Sequence, residues 1–285
     1  MKLNRMKKSI IRLLLLIEDR FPSRGIPVLT YHQVVGGKEE ANVAYVTEAT
    51  FRCQMNFLFK SGYQTIKTED VFKYVADKKE LQTKKIVITF DDGFNDNLNA
   101  FRILKEYGFS GVIFISTAFI GGKYDYKPFQ GKHREIEKKI SKNEYRYLSV
   151  DDLMEIKNIN NNNEICPHTH THIALSSASY LEQEKEIEKA NEIVSTIMQT
   201  VPVCMAYPYG DYNGDTIAIL RKCGYKYAFS MNPGVNRMND NPYILKRHSV
   251  SGEPDYEMFK LMLTDKYKYY LKIRNLFFTL FRFEI

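Results

Sequence analysis

Apolar runs of strand length alternate with helix-length segments along most of this chain. The strand-like runs, such as residues 85–90 and 111–116, are apolar and rich in β-branched side chains. The segments between them repeat their apolar residues at helical spacing, as in residues 95–107, where Gly108 follows as a stop signal. This alternation in one undivided chain favours a closed or nearly closed β/α barrel over an open sheet.

About seven strands are predicted, with helices between them. The predicted strands are residues 26–31, 85–90, 111–116, 164–167, 202–207, 225–230 and 244–247. Ser179 and Glu182 form a capping box, which predicts that a helix begins there. No repeat or linker divides the chain, so we expect one barrel over residues 23–262.

Both ends of the chain carry basic and apolar residues. Residues 1–17 resemble a signal peptide, but Arg12 interrupts the apolar stretch and no small-residue cleavage site follows. The run is also shorter than the roughly 20 apolar residues that span a bilayer. In residues 267–285, Lys and Arg alternate with Tyr and Phe. We expect terminal helices at 1–22 and 263–285 that either pack on the barrel or make peripheral membrane contact.

The net charge of +7 favours an acidic partner, such as an anionic polymer or lipid headgroups. Nucleic acid is not expected, since no recognised binding motif accompanies the charge. The four cysteines are far apart and form no Cys-X-X-Cys pair, which predicts free thiols. The predicted location is cytoplasmic or membrane-associated, and the alternative is the cell surface through an uncleaved N-terminal anchor.

Polar side chains gather at the predicted strand ends, where β/α barrels form their active sites. The residues at these ends are His32, Asp91, Asp92, His168, the segment 207–210, and His248. Two imidazoles, His168 and His172, with one carboxylate can hold a divalent metal that activates water. A second carboxylate can then accept the proton. Adjacent aspartates on an extended segment point in opposite directions, so one would ligate while the other faces substrate.

Three motifs resemble those of a known family. Residues 89–93 (Thr-Phe-Asp-Asp-Gly) and 168–172 (His-Thr-His-Thr-His) resemble the first two motifs of the polysaccharide deacetylases, the NodB-homology or carbohydrate esterase family 4 group. Residues 206–210 (Ala-Tyr-Pro-Tyr-Gly) resemble the third. The segments 28–33 and 147–153 are similar to members that act on poly-N-acetylglucosamine.

The resemblance implies a distorted (β/α)7-type barrel that removes an N-acetyl group from an amino sugar of a polysaccharide or lipid-linked glycan. It implies that Asp91 is the general base. Asp92, His168 and His172 would bind the divalent metal, first of all Zn²⁺, with Co²⁺, Ni²⁺ or Mn²⁺ as alternatives.

The third motif would line the substrate site through Tyr207 and Tyr209, and the backbone N–H of Tyr209 would help to hold the oxyanion. The chain departs from the family pattern at Ala206, where an Arg that orients the base is common. Its late Leu-X-His motif is incomplete, and the nearest segment ends in His248. His248 and His32 are therefore rival candidates for the general acid.

Two other functions use the same residues. A carbohydrate-binding protein could keep the metal and lose catalysis, which the departure at Ala206 suggests. A deformylase or amidase could act on another N-acylated amino sugar. His170, which lies between the two predicted histidine ligands, is expected at the edge of the site.

Overall fold

The computed structural model of the chain describes residues 2–20, 24–37, 44–79, 84–124, 145–252 and 254–281. Its helices are α1 (Lys2–Arg20), α2 (Glu48–Lys60), α3 (Thr68–Ala76), α4 (Asn97–Glu106), α5 (Val150–Ile159), α6 (Tyr180–Met198), α7 (Gly214–Lys222), α8 (Tyr256–Met262) and α9 (Tyr267–Phe281). Its strands are β1 (Val28–Tyr31), β2 (Gln33–Val35), β3 (Tyr45–Thr47), β4 (Gln64–Thr65), β5 (Lys85–Asp92), β6 (Val112–Ile115), β7 (Lys123–Tyr124), β8 (Tyr145–Arg146), β9 (Glu164–Pro167), β10 (Cys204–Ala206), β11 (Tyr227–Phe229) and β12 (His248–Ser249).

The main sheet is parallel and runs in the order β12-β1-β5-β6-β9, with β4 also paired to β5. A second parallel pair, β10 and β11, continues the ring beyond β9, which β10 contacts. A parallel bridge between Phe229 and Leu245 leads from β11 towards β12. The strands thus curve into a nearly closed barrel, and the predicted (β/α)7-type fold is confirmed.

Strand alternation separates two apolar layers. Val28, Val87 and Val112 belong to the cluster that fills the barrel interior, whereas Leu29 and Ile88 belong to the larger cluster beneath the surrounding helices. Strands buried on both faces are typical of parallel sheets, which explains the continuous apolar runs in the sequence.

Local signals place the helices close to their predicted positions. The Ser179 backbone N–H donates to Glu182 at 2.9 Å, and the helix that this capping box opens is α6. The last predicted strand, 244–247, is wrong in its bounds. Residues 242–244 form a 3₁₀ turn, Leu245 makes the bridge to β11, and β12 begins at His248.

The terminal helices pack on the barrel. Ile11, Leu14 and Leu15 of α1 are buried in the same outer cluster as strands β1 and β5, together with Tyr267 and Tyr270 of α9. Residues 1, 21–22 and 282–285 of the predicted terminal helices lie outside the described residues. Among the described residues, none of the helices has the length and apolar character needed to cross a bilayer.

The cysteines are free thiols, as predicted. Cys166 and Cys204 are buried in the barrel interior with their Sγ atoms 3.2 Å apart, and Cys53 is exposed.

Candidate active site

Asp91 and Asp92 end β5 at the carboxyl edge of the sheet. Asp92 has a φ of 74° and Gly93 a φ of 82°, so the chain leaves its extended course there. This left-handed turn brings both carboxylates to one site, because it breaks the alternation of the strand. His168 Nε2 lies 3.9 Å from Asp91 Oδ2 and 3.6 Å from Asp92 Oδ1. The expectation that the two aspartates point in opposite directions is therefore wrong.

His168 follows β9 and is held in the form that binds metal. Its Nδ1 lies 2.8 Å from the Ala206 carbonyl oxygen. A carbonyl only accepts, so Nδ1 carries the hydrogen and Nε2 presents a lone pair to the two aspartates. Burial lowers the pKa of His168 to about 4, despite the nearby carboxylates. The imidazole is therefore neutral at neutral pH.

The loop after His168 turns back towards the site. Thr169 and His172 have φ values of 62° and 59°. Glu186 of α6 accepts hydrogen bonds from the backbone N–H groups of His170 and Thr171, and from the Thr171 hydroxyl at 2.6 Å. The Glu186 carboxylate therefore holds the loop that brings His172 back to the site. Sequence reasoning missed Glu186, since a Glu on a helix carries no distinguishing signal.

Asp92, His168 and His172 converge on one point. His172 Nε2 lies 3.0 Å from Asp92 Oδ1, and the three ligand atoms lie within 4.8 Å of one another. Burial alone would raise the pKa of Asp92, but the imidazoles of His172, His32 and His168 outweigh it and lower the pKa. Since Nε2 of His168 is an acceptor that faces a carboxylate oxygen, the set fits a divalent cation between them.

Asp91 is paired with a buried guanidinium that sequence reasoning did not identify. Arg247 donates to both Asp91 oxygens, at 2.7 and 2.8 Å, and its Nε donates to the Ser230 carbonyl at 3.0 Å. Burial would raise the pKa of Asp91, but Arg247, then His168 and His32, outweigh it and lower the pKa. Arg247 thus supplies the guanidinium that Ala206 lacks, and Asp91 is a carboxylate at neutral pH.

His32 lies beside Asp91. In the β1–β5 register Thr30 is opposite Thr89 and Tyr31 is opposite Phe90, so the next residue, His32, continues opposite Asp91. Its interaction lowers the pKa values of Asp91 and Asp92. The His32 Nδ1 atom is buried and has no hydrogen-bond partner within the described part of the chain. The structure therefore brings His32 into the site.

His248, the rival candidate, lies elsewhere. It is opposite Leu29 in the β1–β12 register, and Leu29 faces the outer cluster. Its ring packs against Tyr267 of α9 with centroids 5.1 Å apart. Because side chains alternate along a strand, Arg247 points into the barrel and His248 points out. The candidate role of His248 as general acid is not supported by this geometry.

The two tyrosines of the third motif likewise lie in different places, one outside the barrel and one beside the site. Tyr207 is fully buried outside the barrel, where it stacks on Tyr212 and donates to the Tyr243 carbonyl at 2.9 Å. The predicted substrate contact by Tyr207 is therefore wrong. Tyr209 has a φ of 59°, and its ring centroid lies 4.7 Å from that of His172. Tyr209 thus borders the site.

His170, which is expected at the edge of the site, contacts Thr117. Its Nδ1 is 2.9 Å from the Thr117 hydroxyl, and it does not belong to the three-residue metal cluster.

A β/α barrel that gathers two imidazoles and two carboxylates at its strand ends defines a metal-dependent hydrolase. The family profile of the polysaccharide deacetylases matches residues 78–228. The chain belongs to this family, the NodB-homology or carbohydrate esterase family 4 group. It is accordingly a hydrolase of non-peptide carbon–nitrogen bonds that removes N-acetyl groups from glycans with a divalent metal.

Similar proteins share most of the chain. YxkH of Bacillus subtilis (strain 168) is 26% identical over 227 residues, which cover 79% of this chain and 71% of YxkH. The poly-β-1,6-N-acetyl-D-glucosamine N-deacetylase of Staphylococcus aureus (strain MSSA476) is 24% identical over 217 residues, or 75% of this chain and 71% of that protein. The Streptococcus pyogenes deacetylase PplD, solved with acetate, has a TM-score of 0.69 and 22% identity, over 85% of this chain and 99% of PplD.

Proposed function

We propose that the chain removes the acetyl group from N-acetylglucosamine-type sugars in a polysaccharide or lipid-linked glycan. The observation that carries this proposal is the convergence of Asp92, His168 and His172 beside an Asp91 carboxylate that a buried arginine holds in place. The Staphylococcus aureus relative, named for poly-β-1,6-N-acetyl-D-glucosamine, supports this class of sugar.

We propose Zn²⁺ as the metal. Two imidazoles and one carboxylate are a common ligand set of catalytic zinc, which keeps a further position open. When bound, the cation polarises the acetyl carbonyl and lowers the pKa of a water molecule. The neutral His168, with its lone pair towards Asp92, supports such an ion.

Two side chains carry out the proton transfers, with Asp91 as the acceptor and His32 as the donor. Asp91 accepts a proton from the attacking water, whose oxygen forms a bond to the acetyl carbon. Arg247 holds both Asp91 oxygens and so keeps the carboxylate ionised and oriented. His32 donates a proton to the sugar nitrogen as the carbon–nitrogen bond breaks, which releases acetate and a free amine. The left-handed turn at Tyr209 presents its backbone N–H to the developing oxyanion.

The proposal is tested by acetate release from a panel of N-acetylated glycans, after chelation and add-back of Zn²⁺, Co²⁺, Ni²⁺ or Mn²⁺. Asp91→Asn should lose turnover and keep its bound metal, whereas His168→Ala should lose both. Asp151→Asn, an exposed position on α5, is the matched control and should behave like wild type.

Two outcomes would contradict these assignments. Turnover in Asp91→Asn would remove Asp91 from the role of base. Metal and glycan binding without acetate release, whichever metal is added, would identify a carbohydrate-binding protein. Formylated glycans in the same panel distinguish a deformylase.

We also propose that the enzyme works at a membrane. Cell fractionation tests this location, and protease treatment of intact cells distinguishes a cytoplasmic site from one on the cell surface. The basic and apolar terminal helices support the proposal.

A further inference from the structure

The net positive charge of the chain is equal to that of its two terminal helices. Together α1 and α9 contain nine basic and two acidic residues, a net of +7, which equals the net charge of all 285 residues. The rest of the chain is therefore neutral overall. The two acidic residues of α1 also lie near lysines of α8 and of the segment after it: Asp19 lies 3.7 Å from Lys260, and Glu18 lies 3.8 Å from Lys266.

The outer side of α1 is apolar as well as basic. Its buried side packs on the outer cluster of the barrel, yet Leu13, Leu16 and Ile17 are 58%, 66% and 39% exposed. The spacing of three and four residues places them on one side of the helix. Exposed Lys8 and Arg12 belong to the same helix.

The neighbouring helix α9 has the same character. It contacts α1, and both helices bury one side in the same cluster, so their outer sides face away from the barrel in the same region. On α9, Tyr269 is 44% and Leu276 is 58% exposed, and Lys272 and Arg274 are exposed between them. The Arg12–Glu257 ion pair at 2.9 Å ties α1 to α8, which precedes α9.

We infer that these outer sides form a surface that binds an anionic lipid bilayer. We call it the end-helix surface, and its members are Lys8, Leu13, Leu16, Ile17, Tyr269, Lys272 and Leu276. Apolar side chains of a helix lying in the interface insert at the boundary of headgroups and acyl chains, while Lys and Arg pair with lipid phosphates. Its charge complements an anionic membrane. The inference deepens the proposed membrane location, since it names the surface and the class of lipid, and it does not depend on the proposed deacetylation.

The experiment is co-sedimentation of the full chain with vesicles, using phosphatidylglycerol mixed with phosphatidylcholine or phosphatidylcholine alone. Wild type should pellet with the anionic vesicles, and less as salt rises. Replacing Lys8 and Lys272 by Gln should weaken binding by roughly five-fold for each charge. The triple variant Leu13→Ser, Leu16→Ser, Ile17→Ser should lose most of the binding.

The matched control is Leu181→Ser with Val201→Ser, which removes apolar side chains that are 65% and 67% exposed elsewhere. For each variant, circular dichroism checks that the protein is folded, and light scattering measures its oligomeric state. Equal pelleting of the triple variant and the control would overturn the inference. The inference would also be overturned if wild type formed a dimer and bound no vesicles, and the triple variant were a monomer. The surface would then bind a second copy of the chain.

Discussion

Replacing His248 by Leu should make the protein more tolerant of acid while leaving catalysis intact. The ring of His248 is 1% exposed, and neither ring nitrogen has a hydrogen-bond partner among the residues described. Burial lowers its pKa from the ordinary 6.5 to about 4. The folded protein therefore holds a neutral imidazole at a pH where the unfolded chain binds a proton.

The sign and size follow from this difference. The folded-state pKa lies below the unfolded one, so the stability is fully present above about pH 6.5 and is lost as the pH falls towards 4. At about 1.4 kcal/mol for each pKa unit, the loss amounts to about 3 kcal/mol in wild type. The His248→Leu variant should not suffer this loss, because leucine does not titrate.

The measurement is the free energy of unfolding by urea in wild type and variant across this pH range. Other titrating groups contribute to both curves, so the difference between them reports His248. Equal losses in the two proteins would refute the reasoning. Acetate release at neutral pH is the second readout, since a folded His248→Leu variant without activity would return His248 to the role of general acid.

Two further predictions concern the groups that hold the site together. Arg247→Met should leave the Asp91 carboxylate buried without a counter-charge, and should lower the free energy of unfolding by about 3–5 kcal/mol in urea titrations. Adding Asp91→Asn should recover much of the lost free energy of unfolding, because the buried charge is then removed. If the double variant were as unstable as Arg247→Met, the pairing of Arg247 with Asp91 would be contradicted. Glu186→Gln should loosen the loop of His172 and weaken metal binding by roughly ten- to a hundred-fold in competition with a chelator. Glu182→Gln, one turn away on α6, is its control, and equal metal affinity in both variants would contradict the role of Glu186.

The sequence was sufficient to predict the barrel and the convergence of Asp92, His168 and His172. Parallel strands present their carboxyl ends at one edge, so polar residues that follow separate strands must lie near one another. Asp92 ends one such strand, and His168 and His172 follow the end of another. The motifs that carry them are short and continuous, which is why their convergence could be predicted without knowledge of the strand order.

The rest depended on register. A shift of one residue along a strand moves a side chain from the interior to the outside. Arg247 and His248 are neighbours, as are Ala206 and Tyr207, and in each pair one residue faces the barrel interior and the other the helices. The strand β12 has only two residues, so its sequence shows no periodicity that would predict which side chain faces the barrel interior. Pairing with β1 decides the outcome, and that contact joins residues more than 200 positions apart.

The pairing of β1 with β12 has a consequence for how the protein forms during its synthesis. Strand β1 is made before both of its neighbours, and one of them, β12, follows it by more than 200 residues. Contacts so distant in sequence form slowly, and an unpaired strand edge in a partly made chain invites aggregation. Asp91 likewise gains its partner Arg247 only after a later part of the chain has been made. The nascent chain therefore cannot assemble its reactive centre until the segment that carries Arg247 has emerged.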